Sequence, residues 1–226
     1  PPHPNPLPMY GCTVRGEGTD RAASTIGFLP RPFGERAGVR GPAQHNTLPR
    51  YPNMLTAKKI TTTDSPLFPP LDALYTHAFP WHEQCELPAK QRALNDPHYA
   101  LEAWFDGELF IGMSGTWAFD GYIYIEHLAV EGSLRSQGYG KRLLGQILER
   151  ASKTILEIDP LTTEIAHKRL RFYEGMGFFA NPWPHAHPTY HAGITDHELI
   201  VLSYPQAIDE AQYQRFNHDL CRIVMA

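Results

Sequence analysis

The chain has 226 residues, 42% of them hydrophobic, which is enough for one domain with a sizeable core. Its 20 basic and 24 acidic residues give a formal net charge of -4; this argues against a nucleic-acid binder held by bulk electrostatics and favours a cationic or neutral substrate over a polyanion. No apolar run reaches the length of a membrane span and the N-terminus lacks the order of a signal peptide, so no membrane association is expected and the cytoplasm is the expected compartment.

Residues 1–53 are rich in Pro, Gly and Arg without a sustained apolar period, a composition that does not repay the entropy of ordering. Pro2-His3-Pro4-Asn5-Pro6-Leu7-Pro8 and Arg15-Gly16-Glu17-Gly18 resemble fragments of a bacterial intergenic repeat read through as protein. The expectation is a biological start at Met54; the competing reading is a genuine disordered tail. The folded domain is expected over residues 54–226.

From Met54 onward the pattern is orderly. Residues 59–63 predict a strand ending in a turn at Asp64-Ser65-Pro66. Leu71, Leu74, Tyr75 and Phe79 recur at helical spacing until Pro80, and a second short helix is expected over 82–93. Residues 99–105 and 109–115 predict an antiparallel pair turned by Asp106-Gly107, and 122–130 the central strand. The helix over 141–151 places Leu143, Leu144, Ile147, Leu148 and Ala151 on one face. A strand over 154–158, a helix over 161–176, a strand beginning at 177–179, a Pro- and His-rich loop and a last strand over 198–203 follow. Asp209 caps a terminal helix. This order predicts a mixed α/β (α+β) sheet flanked by helices, and there is no internal repeat.

Arg135-Ser136-Gln137-Gly138-Tyr139-Gly140 lies between the central strand and an amphipathic helix. Its glycines let the backbone approach a ligand, and the helix start presents unpaired N–H groups and a positive dipole end to an anion. Arg135 and Lys141 are placed to add charge-assisted bonds to phosphates. About thirty residues on comes Arg171-Phe172-Tyr173-Glu174-Gly175-Met176-Gly177-Phe178. R-x-x-G-x-G followed at this distance by F-Y-E-x-x-G-F resembles the GNAT superfamily of N-acetyltransferases, over roughly residues 55–203.

The resemblance implies a GNAT-type fold with a mixed, mostly antiparallel sheet, and acetyl-CoA as co-substrate. It places the acetyl-pantetheine arm along Leu128, Ala129 and Val130, and the pyrophosphate on Arg135, Ser136, Gln137, Gly138, Tyr139, Gly140 and Lys141. Tyr173 matches the family tyrosine that protonates the departing thiolate. One departure is visible: Ala166 stands where the family often has a cofactor-contacting asparagine. A homodimer is common in the family, but the sequence identifies no interface.

Acetyl transfer to an amine needs a proton acceptor for the amine and a donor for the leaving sulfur. Glu126 is the expected acceptor, with orientation of substrate or pairing with a cation as its alternative role. Strand alternation predicts that Glu126 shares a face with Leu128, Tyr122 and Tyr124, and that His127 points the other way as a packing residue. Tyr173 as an aromatic core residue is the alternative to its catalytic role. His185, His187, His191 and His197 match no zinc spacing and no cysteine assists them, so they are expected to shape an acceptor-side loop with no metal. Cys12, Cys85 and Cys221 show no paired spacing and are expected to be free thiols. Trp81, Trp104, Trp117 and Trp183 are open between core and pocket wall.

The expected activity is direct transfer of acetyl from acetyl-CoA to a primary amine on a small molecule or peptide. The alternatives are a transferase of another acyl group, or to a hydroxyl, and a non-catalytic acyl-CoA-binding sensor.

Overall fold

The computed structural model describes residues 54–194 and 197–226; the expectations for residues 1–53, Cys12 among them, lie outside these. The elements in chain order are β1 (Thr56–Ile60), α1 (Phe68–Ala78), α2 (Leu87–Asn95), β2 (Tyr99–Asp106), β3 (Leu109–Phe119), β4 (Tyr122–Val130), α3 (Tyr139–Leu148), β5 (Thr154–Ile158), α4 (Glu164–Glu174), β6 (Phe179–Ala180), β7 (Ala186–His187), β8 (His197–Glu198), β9 (Ile200–Tyr204) and α5 (Glu210–Asp219). Among the described residues no helix is long and apolar enough to cross a membrane.

Seven strands form one sheet in the order β1-β2-β3-β4-β5-β9-β6. Every pairing is antiparallel except β4 with β5. This is the mixed, mostly antiparallel sheet expected. Its two faces carry separate cores. On one, Leu71, Leu74 and Tyr75 of α1 and Tyr213 and Phe216 of α5 pack on Trp117, Tyr124 and Met113. On the other, Leu143, Leu144, Ile147 and Leu148 of α3 pack on Trp104, Ile111, Ile125 and Leu156, as the helical period of that segment requires.

The second helix starts later than the apolar spacing predicts. Residues 81–83 form a separate 3₁₀ turn, and α2 begins at Leu87 with a proline in its first two positions. Proline suits the first turn of a helix, where its missing N–H removes no bond, so Pro88 marks the start. The Pro- and His-rich loop contributes β7 to a small β7–β8 ladder, and the strand expected over 198–203 is split at Leu199 into β8 and β9. Asp209 caps α5 as expected, its side chain accepting from the Gln212 N–H while the Gln212 side chain accepts from the Asp209 N–H. Cys85 is a free thiol. Cys221 is not a free thiol, which corrects the expectation there.

Two irregularities in β4 create the site. Gly115 of β3 pairs with His127 and Thr116 pairs with Ile125, so Glu126 is an extra residue with no partner across the ladder. This is a β-bulge, which re-aims side chains locally. Second, β4 and β5 pair only over Ile123–Thr154, Tyr124–Ile155 and Ile125–Leu156. Beyond the bulge the parallel strands separate and leave a gap in the middle of the sheet.

Candidate functional site

The gap between β4 and β5 opens into a cleft of about 470 Å³. Glu126, Leu128, Ala129 and Val130 line it from β4, Glu157 and Ile158 from β5, and Tyr173 from α4; Arg135 reaches it from the turn. The structure therefore gathers Glu126, Tyr173, the strand residues and Arg135 around one space. Ser136, Gln137, Gly138, Tyr139, Gly140 and Lys141 do not line this cleft. They form the turn into α3.

That turn has the geometry of an anion cradle. Gly138 is the N-cap of α3 with φ 85°, and Ser136 also has a positive φ of 64°. The first N–H groups of α3 have no side-chain cap, and with the exposed cations Arg135 and Lys141 beside them this helix start suits a phosphate. The two glycines differ. Gly138 is needed for its left-handed backbone, whereas a Cβ on Gly140 would make only ordinary van der Waals contact, 3.6 Å from the Phe172 ring. At the family's asparagine position, Ala166 is buried in the first turn of α4 and offers no polar contact.

Glu126 is the most constrained acid of the cleft. Its carboxylate accepts from Trp117 Nε1 at 2.7 Å and from the Tyr190 hydroxyl at 2.8 Å. His127 lies on the same side of the sheet, Nδ1 3.7 Å from the carboxylate, with its ring against Tyr75 of α1 and Phe79 just beyond it. Strict alternation predicted opposite faces, and predicted Leu128 beside Glu126. The bulge corrects both expectations: Glu126 and His127 share a face, and Leu128 packs on the α3 side with Ile125. Tyr122 and Tyr124 do lie on the α1–α5 face. Tyr124 reaches the cleft, but the Tyr122 hydroxyl donates to Asp219 instead. Burial pushes the Glu126 carboxyl up, yet the His127 imidazole and the donors His127, Trp117 and Tyr190 outweigh it and hold it below its ordinary value.

Tyr173 is half-buried at the cleft wall, its ring edge-on to Phe172 and Phe178. Burial pushes its phenol up to about 12, so it stays protonated at neutral pH.

The sequence reading missed a second acid. Glu157 of β5 is buried between His185 and His187 and accepts from the Tyr124 hydroxyl. Tyr213 donates to the Pro184 carbonyl, so its oxygen accepts from His185 Nδ1, while His185 Nε2 faces the Glu157 carboxylate. Both ring nitrogens therefore act as donors. Burial pushes Glu157 up, but His187, His185 and Tyr124 together bring it down to about 2. His191 stacks on Trp81 with centroids 3.9 Å apart and bonds its carbonyl. The loop histidines thus all have packing partners, His197 packing against His82 and His187. His197 lies with His82 and Glu83 in a group whose ligand-type atoms are within 4.8 Å of one another. The only signal for Glu157 in the sequence was a charged residue inside an apolar strand.

The family model described as Acetyltransferase (GNAT) family matches residues 68–178. A solved structure from Bacteroides thetaiotaomicron, assigned to the GNAT family as a candidate acetyltransferase, superposes with a TM-score of 0.70 at 29% identity, covering 75% of this chain and 97% of its own. A candidate acetyltransferase of Bacillus subtilis, YjbC, is 33% identical over 58 residues, which are 25% of this chain and 30% of that protein.

Proposed function

The chain belongs to the acetyltransferase (GNAT) family, and from that premise we propose that it transfers an acetyl group from acetyl-CoA to a primary amine, with both substrates bound at once. The observation that carries this reading is the cleft itself. It joins an ionised carboxylate, Glu126, and a protonated phenol, Tyr173, beside a helix start with no side-chain cap.

In this reading the N–H groups of residues 136–141, with Arg135 and Lys141, bind the pyrophosphate, and the open edge of β4 along Leu128, Ala129 and Val130 takes the pantetheine arm. The thioester supplies the activated acetyl group. Glu126 draws the ammonium form of the acceptor into the cleft; the ammonium releases one proton to solvent to become the neutral amine, and Glu126 takes up the second, directly or through water, as the nitrogen attacks. The new C–N bond forms as the C–S bond breaks, and Tyr173 gives its proton to the departing sulfur. The proton left on Glu126 or its water balances the phenolate, so the site returns to its starting charge. Holding both reactants removes the need for a covalent enzyme intermediate.

Thiol release from acetyl-CoA by the full chain, across a panel of primary amines, tests the proposal. Amine-dependent release together with a stoichiometric acetylamide supports it. Tight acetyl-CoA binding with no release from any amine would favour the sensor reading, and release only from longer acyl-CoA donors would favour another acyl group.

A further inference from the structure

On the far side of Glu126 from the gap in the sheet lies a second cavity, of about 200 Å³, between α1, α2 and strands β2 to β4. Glu126, His127 and Tyr190 line both this cavity and the cleft, so they form the boundary the two spaces share. Its wall is apolar and aromatic: Leu71, Tyr99, Leu101, Met113 and Trp117 are all buried there.

The polar groups of the cavity are engaged with one another. The Tyr75 hydroxyl accepts from the Cys85 N–H at 2.7 Å and donates to the Glu83 carbonyl at 3.4 Å. Lys90 pairs with Asp72 and lies over the Tyr75 ring. Trp117 spends its N–H on Glu126. Arg92 is exposed at the rim. The Tyr99 hydroxyl and the Cys85 thiol also line the cavity, and the Glu126 carboxylate, accepting from Trp117 and Tyr190 with His127 Nδ1 3.7 Å away, keeps lone-pair capacity for a further donor.

We propose that the acceptor is a monoamine bearing one aromatic ring or a short alkyl chain, its nitrogen at Glu126 and its apolar part in this cavity. The proposal rests on the transferase reading above. A cavity of about 150 Å³ accommodates benzene, so this one suits a single ring with a short arm. A polyamine or aminoglycoside would bury further cations or hydroxyls against Leu101, Met113 and Trp117, where they would lack partners, and that is costly.

The test is kcat/KM for the full chain at saturating acetyl-CoA with methylamine, propylamine, hexylamine, 2-phenylethylamine, spermidine and an aminoglycoside. The expected result is a rise of about fourfold per added methylene until the cavity is filled. Spermidine and the aminoglycoside are expected at least about tenfold below hexylamine. Leu101→Trp, which fills the cavity, is expected to raise KM for 2-phenylethylamine while KM for methylamine and acetyl-CoA holds. A flat alkyl series, or a preference for spermidine or the aminoglycoside, overturns the acceptor proposal and leaves the transferase reading intact. Silence with every amine overturns the transferase reading instead. Calorimetric titration with 2-phenylethylamine then decides the cavity: binding that Leu101→Trp removes supports it, and no binding overturns it.

Discussion

Glu126 and His127 are neighbours in sequence on a β-strand, yet both project toward α1, with Nδ1 of one 3.7 Å from the carboxylate of the other. The extra residue in β4 produces this arrangement, and it turns one strand position into a wall shared by cleft and cavity. An acid is thereby held next to an imidazole and two neutral donors, buried but ionised.

Glu126→Gln keeps the shape and removes the charge. If Glu126 is the proton acceptor, kcat is expected to fall by about 10²–10⁴-fold, with acetyl-CoA affinity unchanged. Since the carboxyl sits below its ordinary value, Glu126 is ionised throughout the neutral range. The acid limb of the kcat/KM profile above pH 6 should therefore belong to another group, the acceptor ammonium included, and persist in the variant. An inflection above pH 6 that vanished with Glu126→Gln would contradict the assignment of a lowered carboxyl.

Tyr173→Phe separates an acid from a packing residue. The ring contacts with Phe172 and Phe178 survive the change, so the melting temperature should move little. Turnover should drop by about 10²-fold or more while CoA affinity holds. With the phenol near 12, the native enzyme should show no loss of rate from Tyr173 ionisation below about pH 10. Full turnover in the variant would return Tyr173 to the core.

Much of this architecture was legible in the sequence, for physical reasons that also mark where reading stops. Leu143, Leu144, Ile147 and Leu148 give α3 through their period, and a mixed sheet flanked by helices follows from the order of strands and crossovers, whereas the insertion of β9 between β5 and β6 does not. The glycine turn into α3 was legible because a left-handed N-cap favours glycine at 138. The bulge was not legible, since in Tyr-Ile-Tyr-Ile-Glu-His-Leu-Ala-Val no residue type announces which position is extra, and a period-2 reading then misplaces His127 and Leu128. Glu157 was missed because its partners His185, His187 and Tyr124 come from three other segments, and only folding assembles them.

Gly138→Val tests the turn. A Cβ there would meet nothing within 4 Å, so the effect is conformational and not a clash. A β-branched residue at φ 85° is strained by roughly 1–2 kcal/mol. We expect CoA affinity at least about tenfold weaker, with a melting temperature lower by a few degrees. Gly138→Asn should retain more affinity than Gly138→Val, because asparagine tolerates the left-handed region. Calorimetry showing CoA bound equally by native protein and Gly138→Val would remove the turn from the binding site.

Glu157 predicts how the fold responds to acid. Its carboxyl stands at about 2 in the folded chain against an ordinary 4.5, so the folded state binds its proton less readily than the unfolded one. The sign follows directly. The contribution of Glu157 to stability is fully present above about pH 5 and is lost progressively as pH falls toward 2. Glu157→Gln should be destabilised at pH 7 by about 3–5 kcal/mol, since it leaves His185 and His187 buried without their anion. The gap between native and variant should then narrow in urea melts as pH drops from 5 to 2. His185→Gln should show the same narrowing, because it removes one of the donors that lower the Glu157 carboxyl. A native-to-variant gap that stays constant across that range would mean that Glu157 is protonated in the folded protein and that its contacts with the two histidines are packing alone.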